Sequence, residues 1–158
     1  MSPKLLLAGL LLLGVPALAQ TPEPRTPPAE LRAQPDKDDD TIVLTLPDEG
    51  RALWQRAGQL LARRGYPIRY ASPELLTLTT EAIVPREANT MGLVLAVQGH
   101  ELRLQAYTPN GSTTFPTVWF LMSNQSKGSG RDGHKWQELE EVARLLGGTR
   151  QYTRSINY

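Results

Sequence analysis

The 158-residue chain carries 17 lysines and arginines against 16 aspartates and glutamates, with two histidines and no cysteine. So even a balance gives no electrostatic case for a nucleic-acid or anionic-membrane partner. The missing cysteine excludes disulfides, thiol catalysis, cysteine-based zinc sites and a lipid anchor on a cysteine.

In MSPKLLLAGLLLLGVPALAQ, Lys4 precedes an apolar run from Leu5 to Val15, then Pro16 and the small-residue site Ala17-Leu18-Ala19. This is the pattern of a secretory signal over residues 1–19, cleaved before Gln20. The run reaches about half of the ~20 apolar residues that a spanning helix needs, so no transmembrane span is expected after cleavage. The expected location is the periplasm or the cell exterior. Loss of Lys4 leaves 16 basic residues against 16 acidic ones.

Residues 20–40, QTPEPRTPPAELRAQPDKDDD, hold five prolines, many charges and Leu31 as their one large aliphatic residue. Such a segment buries too little apolar surface to offset its ordering entropy and reads as a disordered, Pro-rich tether. A single domain is then expected over residues 41–158, long enough to build one core without staples.

TIVLTL sets Ile42, Leu44 and Leu46 on one side of a strand, and Pro47-Asp48 ends it, with Asp48 placed to cap a helix. EGRALWQRAGQLLARRG puts Leu53, Ala57, Leu60 and Leu61 at helical spacing, with Gly65 where a C-terminal cap belongs. YPIRYA and ELLTLTTE flank the turn signal Ser72-Pro73. GLVLAVQ and HELRLQAYT flank Gly99, and a third hairpin is expected at Asn110-Gly111, before the run that ends in TVWF. GLVLAVQ is apolar on both faces and reads as a central strand. The last helix, about His134 to Leu146, carries Trp136, Leu139, Val142, Ala143 and Leu146 on one stripe, and Gly147-Gly148 stops it. The tail TRQYTRSINY reads either as an edge strand or as a segment docking elsewhere. The expected class is therefore α+β, an antiparallel sheet of four to six strands with two helices on one face, in the order β-α-β-β-β-β-α.

With its strand, the helix ALWQRAGQLLARRGYPI, a hairpin ending in LLTLTTE, a meander and a closing helix, the chain resembles small exported domains of bacterial envelope proteins. These include the domains of the outer-membrane assembly lipoprotein "C" and other TBP-like or helix-grip modules. The resemblance implies a non-enzymatic envelope role and carries over no functional residue; the lipidated cysteine of those lipoproteins is absent here.

The residues offer little to catalysis. His100 falls in a hairpin turn and His134 at a helix start, so no HExxH pair exists. Asp36, Asp38 and Asp40 have the one-three-five spacing of a calcium loop, but Thr41 stands where glycine is needed and Pro47 where the bidentate glutamate belongs. Ser126, Ser129, Asp132 and His134 bring the triad residue types together on a glycine-rich loop, which lacks the rigid, distant placement that a triad needs. Glu138 and Glu141 share a helix face beside Arg144 and read as solvated surface.

GSGRDG, residues 128–133, spells the dinucleotide fingerprint, yet position 153 is Thr153 and no acidic residue follows Glu141 to hold a ribose. His134 between Gly133 and Lys135 breaks the Walker pattern as well. No cofactor, metal or catalytic residue is expected. Lys127, Arg131, His134 and Lys135 make this connector the most basic surface stretch and a candidate contact loop.

Trp54, Trp119 and Trp136 fall one on each helix and one on the last strand of the meander, as if to meet between the layers. They read as core packing, with the lining of a cavity for an apolar ligand as the alternative. The expected role is non-catalytic protein-protein contact with an envelope partner; the alternative is a small carrier of a lipid or other apolar molecule.

Overall fold

The computed structural model describes residues 30–85, 90–110, 118–124 and 131–155. They form β1 (Thr41–Thr45), α1 (Gly50–Arg63), β2 (Ile68–Ser72), β3 (Thr77–Thr80), β4 (Gly92–Gln98), β5 (Glu101–Asn110), β6 (Val118–Leu121), α2 (Arg131–Leu146) and β7 (Thr149–Thr153). The class is α+β as expected, but the sheet has seven strands. The additional strand is β7: TRQYT continues the sheet beyond β1 instead of leaving the domain. The order is β2-β3-β4-β5-β1-β7, with β6 attached to β5, and every paired strand is antiparallel.

One face of this sheet is covered. Ile42 and Leu44 of β1, Leu102 and Leu104 of β5, and Leu93 and Leu95 of β4 are buried against Leu53, Ala57 and Leu61 of α1 and Leu139, Val142 and Leu146 of α2. Their register follows from strand pairing: Leu104 lies opposite both Ile42 and Leu95, and Leu102 opposite both Leu44 and Val97. Alternation then carries one set of side chains under the helices. Full burial of each such aliphatic side chain contributes about 1.5–3 kcal/mol before entropy is counted. β4 lies between β3 and β5, the central position that its two apolar faces require.

Local chemistry departs from the sequence reading at several joints. The N-cap of α1 is Glu49 and makes no side-chain cap bond. The Asp48 carboxylate instead accepts from Arg56 Nη1 at 2.6 Å. Asn110 does not turn the chain: it is the last residue of β5 and pairs with Val118, so the connection comprises residues 111–117, outside the described set. Gly148 is required where α2 meets β7, because its φ is +82° and an added Cβ would lie 2.3 Å from the Thr45 carbonyl oxygen.

Residues 30–40, assigned to the tether on composition, pack along the sheet edge. Arg32 and Tyr152 exchange main-chain hydrogen bonds of 2.9 and 2.8 Å. Asp39 is fully buried, pairs with the Arg32 guanidinium and accepts the Asp36 N–H at 2.7 Å. Composition weighs apolar area, whereas this segment is held by hydrogen bonds and one ion pair.

Candidate functional site

β5 has ten residues and β1 five. One side of β5 pairs with β4; on the other side Gln105 pairs with Thr41 of β1, and Tyr107 with Leu121 of β6. β1 and β6 therefore follow one another along the same side of β5. β1 has β7 on its outer edge, and among the described residues β6 has no strand beyond it.

Pairing sets Trp119 and Leu121 on the open face of the sheet, with Pro109 and Tyr107, and Phe120 on the opposite face. Trp119, Phe120 and Leu121 are exposed, by 41%, 49% and 43% respectively. Exposure of consecutive side chains leaves residues 119–121 partly open on both faces, and among the described residues no strand lies along their edge. An open groove of about 450 Å³ lies beside β6, lined by Trp119, Phe120 and Leu121 together with Asp38, Asp40, Ser123 and Arg154.

Trp119 is held in place. Its ring meets Tyr107 edge-on at 4.7 Å and 90°, and the Arg69 guanidinium lies 5.2 Å from its centroid. Arg69 belongs to β2, four strand positions from β6, a separation of roughly 19 Å in a flat sheet. The open face is thus curved enough for long side chains to meet across it. Tyr107 spans the curve: its ring lies over Gly92, where an added Cβ would fall 2.2 Å from the ring, and its hydroxyl donates to the Thr80 carbonyl. Burial raises the Tyr107 phenol above its ordinary value of 10.0.

The groove's charges differ in their commitments. Asp40 is buried; its carboxylate accepts Thr41 Oγ1 at 2.6 Å, the Ser155 N–H at 2.9 Å and the Ser155 hydroxyl. Asp38 stands at φ +77°, and its N–H donates to the Asn124 carbonyl at 3.2 Å. Neither Asp38 nor Arg154 has an ion-pair partner among the described residues, so one charge of each sign faces the groove.

The three tryptophans do not meet. Trp136 is buried beside Tyr152, with ring centroids 6.4 Å apart, and Trp54 donates its indole N–H to the Thr77 carbonyl at 3.0 Å. Trp119 lies on the other side of the sheet, so no single sheet-helix cavity is lined by all of them. The basic stretch is divided too. Lys127 is outside the described residues, Arg131 opens α2, His134 is half-buried, and Lys135 is buried with its Nζ 3.4 Å from Thr108 Oγ1. Lys135 turns inward because it lies four residues before Leu139 and seven before Val142, on the buried stripe of α2.

Of the two glutamates read as solvated surface, Glu138 is instead largely covered, and both are held by arginines. Glu138 accepts from Arg64 Nη2 at 2.7 Å and from the Tyr66 hydroxyl at 3.1 Å. Glu141 accepts two 2.7 Å bonds from Arg144, which lower its pKa. His100 Nε2 lies 3.2 Å from Glu49 Oε2 in an exposed turn. Among the described residues, no three His, Asp or Glu side chains converge to hold a metal ion. Of GSGRDG, Arg131, Asp132 and Gly133 are already helical, and the strands around them are antiparallel where a dinucleotide fingerprint needs a parallel βαβ unit.

The open β6 edge did not emerge from the sequence reading. The signal was the length of HELRLQAYT: a strand that long, facing the five residues of TIVLT, must find a second partner for its far half. No protein-family model and no curated protein matches the chain.

Proposed function

We propose that the chain is an exported, non-catalytic domain that acts by protein-protein contact in the cell envelope, with the open edge of β6 as its contact surface. The observation that carries this reading is the run of three exposed apolar side chains, Trp119, Phe120 and Leu121, on a strand with no outer neighbour among the described residues. Soluble proteins normally guard such an edge with charge, proline or cover, and an unguarded one is a template for an extended partner segment. Trp119, already fixed between Tyr107 and Arg69, is the kind of rigid aromatic anchor on which binding energy concentrates.

Export is supported by the signal-like residues 1–19, and an envelope setting by the element order resembling small envelope domains. No helix among the described residues is long and apolar enough to cross a membrane. Contact is favoured over carriage of an apolar ligand because the space between sheet and helices holds Leu44, Leu53, Leu104 and Leu139, each fully buried.

A photoreactive residue at position 120 tests the reading in cells, with one at Leu75, which is 69% exposed near the opposite sheet edge, as control. The expected result is a protein adduct from position 120 alone, reduced at least about tenfold by Trp119→Ala. Adducts to lipid only, or equal adducts from both positions, would remove the proposal.

A further inference from the structure

The outer edge of β6 has a definite hydrogen-bonding phase. Met122 N–H donates to the Ala106 carbonyl at 2.9 Å, which marks these two as a bonded pair. Bonded and non-bonded pairs alternate in an antiparallel ladder, so Thr108 and Phe120 form the next bonded pair, while Trp119 and Leu121 turn their N–H and C=O groups outward. Pro109, opposite Trp119, fits this phase, because its missing N–H falls on the side away from β6. The outward groups therefore stand one residue to either side of Phe120.

A strand with this spacing is complementary to itself. When a second β6 lies antiparallel along the first with Phe120 opposite Phe120, Trp119 of each copy faces Leu121 of the other, and every outward N–H and C=O of these residues finds a partner. A shift of one residue sets outward groups against inward ones, and a shift of two keeps one bonded pair instead of two. The same register is apolar on both faces: the two Phe120 rings, each half-exposed in the single chain, become neighbours on one face, and Trp119 meets Leu121 of the second copy on the other. Edge strands normally carry a charge or a proline that prevents such self-pairing, and Trp119-Phe120-Leu121 carries neither. Beside this edge the groove presents Asp38 and Arg154, one charge of each sign, so two copies face each other without net repulsion.

We propose that a second copy of this chain occupies the outer edge of β6, antiparallel about a two-fold axis at Phe120, so that two seven-stranded sheets join into one. The inference rests on the reading of β6 as a contact surface and names its partner.

The chain has no cysteine, so introduced thiols report the contact without background. Phe120→Cys sets two thiols across a non-bonded pair with Cα atoms about 4.5 Å apart, within reach of a disulfide. Under mild oxidation the purified chain carrying it should form a linked dimer at least about tenfold faster than one carrying Leu75→Cys, an exposed position near the opposite sheet edge. Trp119→Cys alone should not, because its counterpart lies two residues further along, roughly 8 Å away. A mixture of Trp119→Cys and Leu121→Cys chains should cross-link. Equal rates for Phe120→Cys and Leu75→Cys, or Trp119→Cys alone matching Phe120→Cys, would overturn the pairing.

Sedimentation of the cysteine-free chain is the second measurement. A dimer is expected, and Phe120→Lys should lower its association constant at least about tenfold by setting like charges opposite each other, with Tm unchanged. A chain that is monomeric throughout, or a dimer indifferent to Phe120→Lys, would also overturn the pairing. Adducts from position 120 in cells separate this inference from the proposed function. A linked second copy of the chain supports both. An adduct to a different protein, with a monomer in solution, preserves the function and removes the self-pairing. A dimer in solution without any protein adduct preserves the pairing and removes the function.

Discussion

β1 and β6 are both short apolar strands paired to the same side of β5, yet their surroundings are opposite. Ile42 and Leu44 lie under the helices, Val43 on the other face is 1% exposed, and β7 closes the outer edge. Trp119, Phe120 and Leu121 have neither a covering layer nor an outer strand among the described residues. Apolar character brings both segments into the sheet; what lies next to each decides whether the strand becomes core or surface. Edge strands usually carry their own guard charges, whereas Val118–Leu121 has none, and its neighbouring charges, Asp38 and Arg154, come from other segments.

Matched truncations break the comparison most directly. Leu44→Ala should cost about 2–5 kcal/mol by removing a fully buried side chain, whereas Leu121→Ala should stay within about 0.5 kcal/mol. Denaturant midpoints at equal slope read both, and equal losses would mean that β6 is as covered as β1.

A smaller effect is expected at the boundary between the two regions. Gly92→Ala forces the Tyr107 ring off its seat and should cost about 1–3 kcal/mol. Because Tyr107 also abuts Trp119, the fluorescence of Trp119 should change in the same variant. Destabilisation with unchanged fluorescence in a protein retaining only Trp119 would show that the aromatic anchor is independent of the boundary.

The smallest effect is a dependence on alkaline pH. Burial raises the phenols of Tyr66, Tyr107 and Tyr152 above 10.0. A raised folded value means that the stability gained from keeping these groups neutral is complete below the unfolded value. It is lost as pH rises past about 10 toward the folded values. Tm should therefore hold between about pH 8 and 9 and fall above about 10, with Tyr66→Phe showing a shallower fall. Phenolate absorbance should appear late for these groups; all five tyrosines titrating together near 10.0 would show that the three phenols are wetter than their burial indicates.

Much of the covered side was legible in advance. The α2 stripe of Trp136, Leu139, Val142, Ala143 and Leu146 is buried to the last residue, and Ile42, Leu44 and Leu46 occupy the predicted side of β1. Both patterns have the period of their element, and burial on one face is what creates such a period. The candidate site was much less legible. Trp119 was grouped with Trp54 and Trp136 because its flanks are apolar, and no periodicity tells a strand which side of a curved sheet will lack a helix. Lys135 was counted as surface for its charge, although it lies four residues before Leu139 on the buried stripe of α2. The ordered segment 30–40 was missed because Asp39 is stabilised by Arg32 and main-chain groups, which composition does not weigh.

The sequence by itself determined the α+β class, the two amphipathic helices and the set of side chains beneath them, since hydrophobic periodicity is a local property that burial must satisfy. It also ruled out cysteine chemistry and left the chain without an EF-hand loop or an HExxH pair. Tertiary structure alone decided that ten-residue β5 would serve two strands on one side, that β7 would pair with the first of them, and that Asp40 would hold Ser155 beside the groove. Those outcomes depend on strand lengths and on pairings between residues more than a hundred positions apart, such as Asp40 with Ser155, and a local pattern carries no record of its distant partner.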